Sequence, residues 1–238
     1  MSGADVMRRA ATLVAARPGP KAGVEVLVLR RSDRSRFLPG YVVFPGGAVD
    51  PEDEALAVAW FGSGSGPEQV ARAAAIRELI EETGLAVTSR GLEAARGGSD
   101  VAALRAVTLD PPAPVALRQI AHWVAPEDVP VRFDARYFAV DAPRGVEPVP
   151  DAVEAAAAWW ADPRELLERW AADGEKLYWP TMKTVQALAA CEDVGALLAL
   201  DIPQHEPEPG DEERMPRSTF YQSDAEFEQA RRASAEGR

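Results

Sequence analysis

Arg77 and the three glutamates that follow it, Glu78, Glu81 and Glu82, are the residues whose types and spacing most directly imply chemistry. They lie in the segment Ala74-Ala75-Ile76-Arg77-Glu78-Leu79-Ile80-Glu81-Glu82-Thr83-Gly84-Leu85. An α-helix turns about 100° per residue, so Ile76, Leu79, Ile80 and Thr83 share one apolar stripe. The glutamates gather within roughly 40° of the opposite direction. Three like charges on successive turns repel one another, and Arg77, four residues before Glu81, offsets part of that cost. Clustered carboxylates are the hard oxygen donors that Mg²⁺ or Mn²⁺ prefers. A bound ion would remove the repulsion and create a Lewis-acid site. An isolated glutamate run reads first as a solvated helix face. Here the run has an Arg-Glu pair at its head, a closing Gly84-Leu85, and a Gly46-Gly47 loop upstream.

Those residues need a scaffold. Residues 9–16 and 24–31 have β-like patterns, with Pro18, Gly19 and Pro20 as a turn between them. Residues 41–44 read as a short strand running into Pro45-Gly46-Gly47. Residues 55–61 suit a short helix, and Gly62 to Pro67 form a flexible link. Residues 69–83 form the strong helix, stopped by Gly84. Further strands are expected at 85–88, 120–124, 135–140 and 153–160. Loops at 97–99 and 111–114 flank a short helix. Helices follow at 163–172, with Asp162 as cap, and at 181–190. Residues 203–238, rich in Pro, Glu and Arg, read as a tail with one exposed helix near 225–235. The domain itself spans residues 1–202.

The bulk properties narrow the function. The chain has 238 residues, 47% hydrophobic and 27% charged, which suits one globular domain with extensions. The net charge of −12 argues against a nucleic-acid partner, which needs a basic surface. No apolar run reaches the ~18 residues of a membrane span, and no secretory h-region follows the start. The expected compartment is therefore cytoplasmic. The single cysteine, Cys191, offers no internal disulfide.

The glutamate segment resembles the Nudix box, G-x5-E-x7-R-E-U-x-E-E-x-G-U with U aliphatic. Arg77, Glu78, Leu79, Glu81, Glu82, Gly84 and Leu85 match its second half without a gap. Gly47, with Asp53 or Glu54, matches the first half. Gly47 lies 30 positions before Arg77 where the pattern has fourteen, so about sixteen residues are inserted, taken as residues 51–68. Counting back eight from Arg77 lands on Gln69, beside Glu68. The likeness extends over about residues 10–200. Leu29-Arg30-Arg31-Ser32, Arg36-Phe37-Leu38-Pro39-Gly40 and Val43-Phe44-Pro45-Gly46-Gly47 resemble the coenzyme A diphosphatase branch, as do Phe133–Phe138, Trp160–Pro163 and Pro180-Thr181.

The resemblance implies an α+β fold, an α/β/α sandwich with a mixed sheet, and the inserted residues as a flap beside the cleft. It implies hydrolysis of a diphosphate in a nucleoside diphosphate-linked substrate, with Glu78, Glu81 and Glu82 binding Mg²⁺ or Mn²⁺. Arg77 would orient the glutamates, and Gly46 and Gly47 would let the backbone approach the metal. The general base is Glu82 or Glu154, with Asp53 and Glu54 as weaker candidates. Arg30, Arg31 and Arg36 are the candidates for substrate phosphates. Phe37, Tyr41, Phe133 and Tyr137 would stack a base or pack the core; His122 and Cys191 read as structural. Coenzyme A or acyl-coenzyme A is the first substrate class; ADP-ribose or NADH is the alternative. A Nudix-fold module that binds without turnover is the non-enzymatic alternative. A homodimer through the helical C-terminal region is an open assembly.

Overall fold

The computed structural model describes residues 7–20, 22–89, 91–95, 117–125, 132–223, 225–229 and 232. Its framework is a seven-stranded mixed sheet. β1 (Arg8–Pro18) and β2 (Val24–Arg31) form an antiparallel hairpin, closed by the Gly19 amide donating to the Gly23 carbonyl at 3.0 Å. Strand side chains alternate between faces, and β1 is apolar on both. Ala11, Leu13 and Ala15 enter one core; Val14 and Ala16 enter the other. β2 follows suit, with Leu27 on the first side and Val24, Val26 and Val28 on the second.

The hairpin splays into a fork, and this fork positions the site. β1 pairs with β2 only over Ala16–Pro18. Nearer its start, β1 pairs with β4 (Gly46–Ala48), while β2 pairs with β3 (Val42–Val43) and β9 (Ala155–Ala161). The turn at Phe44-Pro45 therefore lies in the crotch, where the Leu13 amide donates to the Pro45 carbonyl at 2.8 Å. β8 (Phe133–Asp141) runs parallel to β1 on its other edge, and β7 (Arg118–Val124) runs antiparallel to β8. A separate hairpin joins β5 (Leu85–Thr88) to β6 (Gly91–Ala94).

Helices cover both faces, so the fold is the expected sandwich. On one side lie α1 (Glu52–Phe61) and α2 (Pro67–Thr83). Ile76, Leu79 and Ile80 are 0% exposed, each side chain contributing about 1.5–3 kcal/mol of burial. On the other side lie α3 (Pro163–Ala171), α4 (Trp179–Ala189) and α5 (Val194–Leu198). Asp162 caps α3 by accepting from the Arg164 amide at 2.8 Å, as its position before Pro163 implies.

Several local expectations change. β3 has two residues, not four, because the chain bends at Phe44 to enter the fork. Gly46-Gly47, read as a loop, is itself part of strand β4. α2 starts at Pro67, where proline suits a first turn with spare N–H groups, and Gln69 accepts from the Gly66 amide at 3.1 Å. The inserted segment is a packed helix, not a flap: Ala57 and Trp60 of α1 are buried in the α2 core. The loops at 97–99 and 111–114, and the helix between them, lie outside the described residues. Residues 225–229 and 232 are helical.

Between His205 and Gln222 the chain is docked on the sandwich. α6 (Asp211–Arg214) and a 3₁₀ turn (Arg217–Thr219) follow one another. The Trp179 indole donates to the His205 carbonyl at 2.6 Å, and the Trp170 indole to Thr219 at 2.9 Å. Phe220 packs on Trp179 with ring centroids 5.6 Å apart. Among the described residues, no helix is long and apolar enough to cross a membrane.

Candidate active site

Arg77 is the hub of the site and is 3% exposed. Its Nε donates to Asp53 Oδ1 at 2.8 Å and its Nη2 to Asp53 Oδ2 at 3.1 Å. Nη1 donates to Glu78 Oε1 at 2.8 Å and Glu81 Oε2 at 2.9 Å, and Nη2 also reaches the Ala48 carbonyl at 3.0 Å. The two-pronged contact with a carboxylate is the geometry that favours arginine over lysine. These contacts keep Arg77 charged despite burial, which alone would disfavour the cation.

Asp53 is the residue that sequence counting undervalued. Six places after Gly47, it stands where the box pattern has its first glutamate. It is fully buried on Arg77 and also closes the first turn of α1, accepting from the Asp50 amide at 2.8 Å. The insertion therefore follows Asp53, and backward counting from Arg77 to Gln69 measured across it. The forward spacing from Gly47 carried the signal.

Gly46 and Gly47 lie against the glutamates because the fork puts β4 beside α2. The Gly46 amide donates to Glu82 Oε2 at 2.9 Å. A Cβ at Gly46 would meet the Ala11 carbonyl and Thr12; one at Gly47 would overlap the Glu78 carboxylate. At both positions the absence of a side chain is a requirement of space.

Glu78, Glu82 and Glu154 line a cleft of about 330 Å³ together with Gly46, Gly47, Arg31, Arg34, Ser35 and Val153. Glu154 arrives there because the β8–β9 loop is pinned to the end of α2. The amides of Val149 and Asp151 donate to the carbonyls of Thr83 and Glu82 at 2.8 and 3.2 Å. The Ser32 amide then donates to the Glu154 carbonyl at 3.0 Å, tying that loop to the end of β2. Glu81 does not line this cleft; its side chain is 35% exposed and turned to Arg77.

Of the predicted arginines, Arg31 reaches the cleft. Its Nε donates to the Phe37 carbonyl at 2.9 Å, and its Nη1 lies 4.0 Å from Glu82 Oε1. Arg30 does not reach it: adjacent strand residues point to opposite faces, and Arg30 pairs with Glu175 at 2.8 Å, beside Trp159. Arg36 is exposed and also lies outside the lining. Arg34, Ser35 and Val153 were not singled out by sequence; nothing in their spacing distinguishes them. Glu54 is exposed. The aromatics pack: Phe37 against Phe133 with centroids 5.3 Å apart, Tyr137 against Phe44, and Tyr41 is 1% exposed. His122 pairs with Asp134, and Cys191 is buried.

The carboxylates carry uncompensated charge. Burial pushes the pKa of Glu78 up to about 7, with Arg77 opposing. Burial, then the negative charge of Glu78, pushes Glu82 up to about 8, with the Gly46 amide and Arg31 opposing. Glu81 is shifted upward by burial against the pull of Arg77. The charge of Glu154 adds to the upward push on all three. Hard oxygen donors, crowded and short of positive charge, fit a divalent cation. Among the described residues, no three acidic, histidine or cysteine side chains already converge as a metal shell.

No family model matches the chain. It is 38% identical over 81 residues to a Caenorhabditis elegans protein named "Putative nudix hydrolase 7". That stretch covers 34% of this chain and 24% of the relative, so the likeness spans about a quarter of the relative's length. The structure of a NUDIX hydrolase from Alicyclobacillus acidocaldarius superposes with a TM-score of 0.71 and 32% identity, covering 84% of this chain and 99% of the other. With the split box closed in space by Arg77 and a related hydrolase matched along its length, the chain belongs to the Nudix hydrolase family.

Proposed function

We propose that this protein hydrolyses the diphosphate linkage of a nucleoside diphosphate-linked compound, using Mg²⁺ or Mn²⁺ held by Glu78, Glu81 and Glu82. One observation carries the reading: Arg77 joins Asp53, Glu78 and Glu81 across the insertion, which brings the two halves of the split box together. Binding alone would not require that many metal-type carboxylates around one arginine, which favours turnover.

A divalent ion bound there would neutralise the diphosphate and stabilise charge developing on the leaving oxygen. The chain's own residues do the rest. Arg77 fixes the rotamers of Glu78 and Glu81, leaving each one oxygen outside its grip. The Gly46 amide orients Glu82. Glu82, oriented by the Gly46 amide, or Glu154 of the same cleft lining takes the proton of the attacking water. Arg31 faces the substrate side of the cleft.

Coenzyme A or acyl-coenzyme A is the substrate class we put first, on the strings from Leu29 to Gly47; ADP-ribose or NADH is the alternative. The test is a panel of coenzyme A, acetyl-coenzyme A, NADH, ADP-ribose, dinucleoside polyphosphates and nucleoside triphosphates, with Mg²⁺ and with Mn²⁺, products resolved by mass. Coenzyme A converted to 3′,5′-ADP and phosphopantetheine supports the branch. Turnover of another diphosphate removes it, and turnover of none with metal bound leaves a binding module.

A further inference from the structure

The cleft is lined by both acidic and basic residues, and one of the basic groups is left unengaged by the folded chain. Its acidic residues are Glu78, Glu82 and Glu154; its basic residues are Arg31 and Arg34. Arg31 is committed to the Phe37 carbonyl and Glu82. Arg34 differs. Its backbone amide donates to Ser32 Oγ at 3.3 Å, but among the described residues no hydrogen bond or ion pair engages its guanidinium.

A free arginine on a loose surface loop would mean little, but the loop that carries this one is tied down. The Ser35 amide donates to the Ser32 carbonyl at 2.9 Å, and the Ser32 amide to Glu154. Leu38 adopts φ +51°, rarely accepted by a residue with a side chain, and its amide donates to Gln222 Oε1 at 3.1 Å. The Tyr41 hydroxyl donates to the Tyr221 carbonyl at 2.7 Å. These ties, two of them to the C-terminal segment, shape residues 32–41, and Arg34 and Ser35 lie in the cleft wall with the glutamates.

We propose that Arg34 is the phosphate-binding residue of the substrate side, gripping a phosphoryl group of the substrate. The inference rests on the hydrolase reading but names a residue outside the matched motifs. A carboxylate-rich cleft repels a polyanion, and a planar fork of donors with no partner in the chain is the complement such a substrate needs.

The experiment is direct binding by calorimetry, with Mg²⁺ present and absent, to the full chain and its Arg34→Ala, Arg34→Lys and Arg36→Ala variants. Adenosine 5′-diphosphate reports a diphosphate phosphoryl and adenosine 3′,5′-bisphosphate a ribose phosphoryl, which separates the two sources. The expected result is a loss of about tenfold in affinity for at least one ligand in Arg34→Ala. Arg34→Lys should recover part of it, with the thermal midpoint unchanged. Unaltered affinity for both ligands, an equal loss in Arg36→Ala, or a wild-type protein that binds neither would overturn the assignment. A wild type that binds but turns over nothing would sink the hydrolase reading and leave Arg34 standing, so the two failures are distinguishable.

Discussion

The two walls of the cleft are built on opposite terms. The α2 wall is rigid: Arg77 makes five hydrogen bonds to three carboxylates and a carbonyl, and Glu82 is 4% exposed. The other wall is the loop at residues 32–41, mostly half-buried or buried and shaped by a few ties to distant parts of the chain. The contrast teaches where precision is needed. The groups proposed to meet a cation and a reacting phosphorus sit on a helix with locked rotamers. The groups proposed to bind the substrate's phosphates sit on a loop, which can change without disturbing the core.

Substitutions on the α2 wall should therefore act on kcat and stability, and those on the loop on KM. The largest effect is expected for Glu82→Gln or Glu81→Gln: on the order of a thousandfold loss in kcat with the fold kept, since several kcal/mol of charge stabilisation are removed. Steady-state kinetics and circular dichroism check it, and unchanged kcat in both variants would break the metal assignment. Arg77→Ala strands the fully buried Asp53 without its partner. Breaking such a pair costs about 3–5 kcal/mol. Urea unfolding measures that loss, and a drop below about 1 kcal/mol would show that the hub is not structural.

A pH series sharpens the same contrast. In the metal-free fold, Glu78 and Glu82 have pKa values raised from 4.5 to about 7 and 8, so the folded state binds more protons than the unfolded chain in that window. Their contribution to stability is full below about 4.5 and is lost as pH rises through about 7 and 8. The thermal midpoint in chelator should fall over that range, and Mg²⁺ should raise it more at pH 8 than at pH 6, because metal needs deprotonated ligands. A Mg²⁺ shift that is equal at both pH values would contradict this. The smallest effect belongs to the loop. Gln222→Ala removes the acceptor for the Leu38 amide and should cost about 1 kcal/mol or less in stability. KM should rise while kcat stays, and a kcat loss without a KM change would erase the distinction between the walls.

The sequence made the helical wall legible and the loop wall obscure, for physical reasons. The apolar stripe of Ile76, Leu79 and Ile80 and the opposed glutamates follow from helical geometry. The doubly buried β1 follows from its continuous apolar run. β4 escaped because strand propensity is carried by side chains, which Gly46 and Gly47 lack. Arg30 and Arg31 are both plausible phosphate ligands by type; which one faces the cleft depends on strand register, set here by pairing to β3 and β9. The tie between Gln222 and Leu38 spans most of the chain and leaves no local mark.

The link between α1 and α2 bears on how such a site is put together. Gly62 and Gly64 have φ +96° and +95°, and a Cβ at either would touch nothing. The link reaches the rest of the fold through Ser65, whose hydroxyl donates to the carbonyls of Ala57 and Gly62. It supplies no group to the cleft. The stretch from Gly62 to Gly66, between the packed helices α1 and α2, is thus a tether, and its length is free to vary while Asp53 and Arg77 stay a hydrogen bond apart. Catalytic order in this molecule is a property of points in space, and the count of residues between them carries no chemistry.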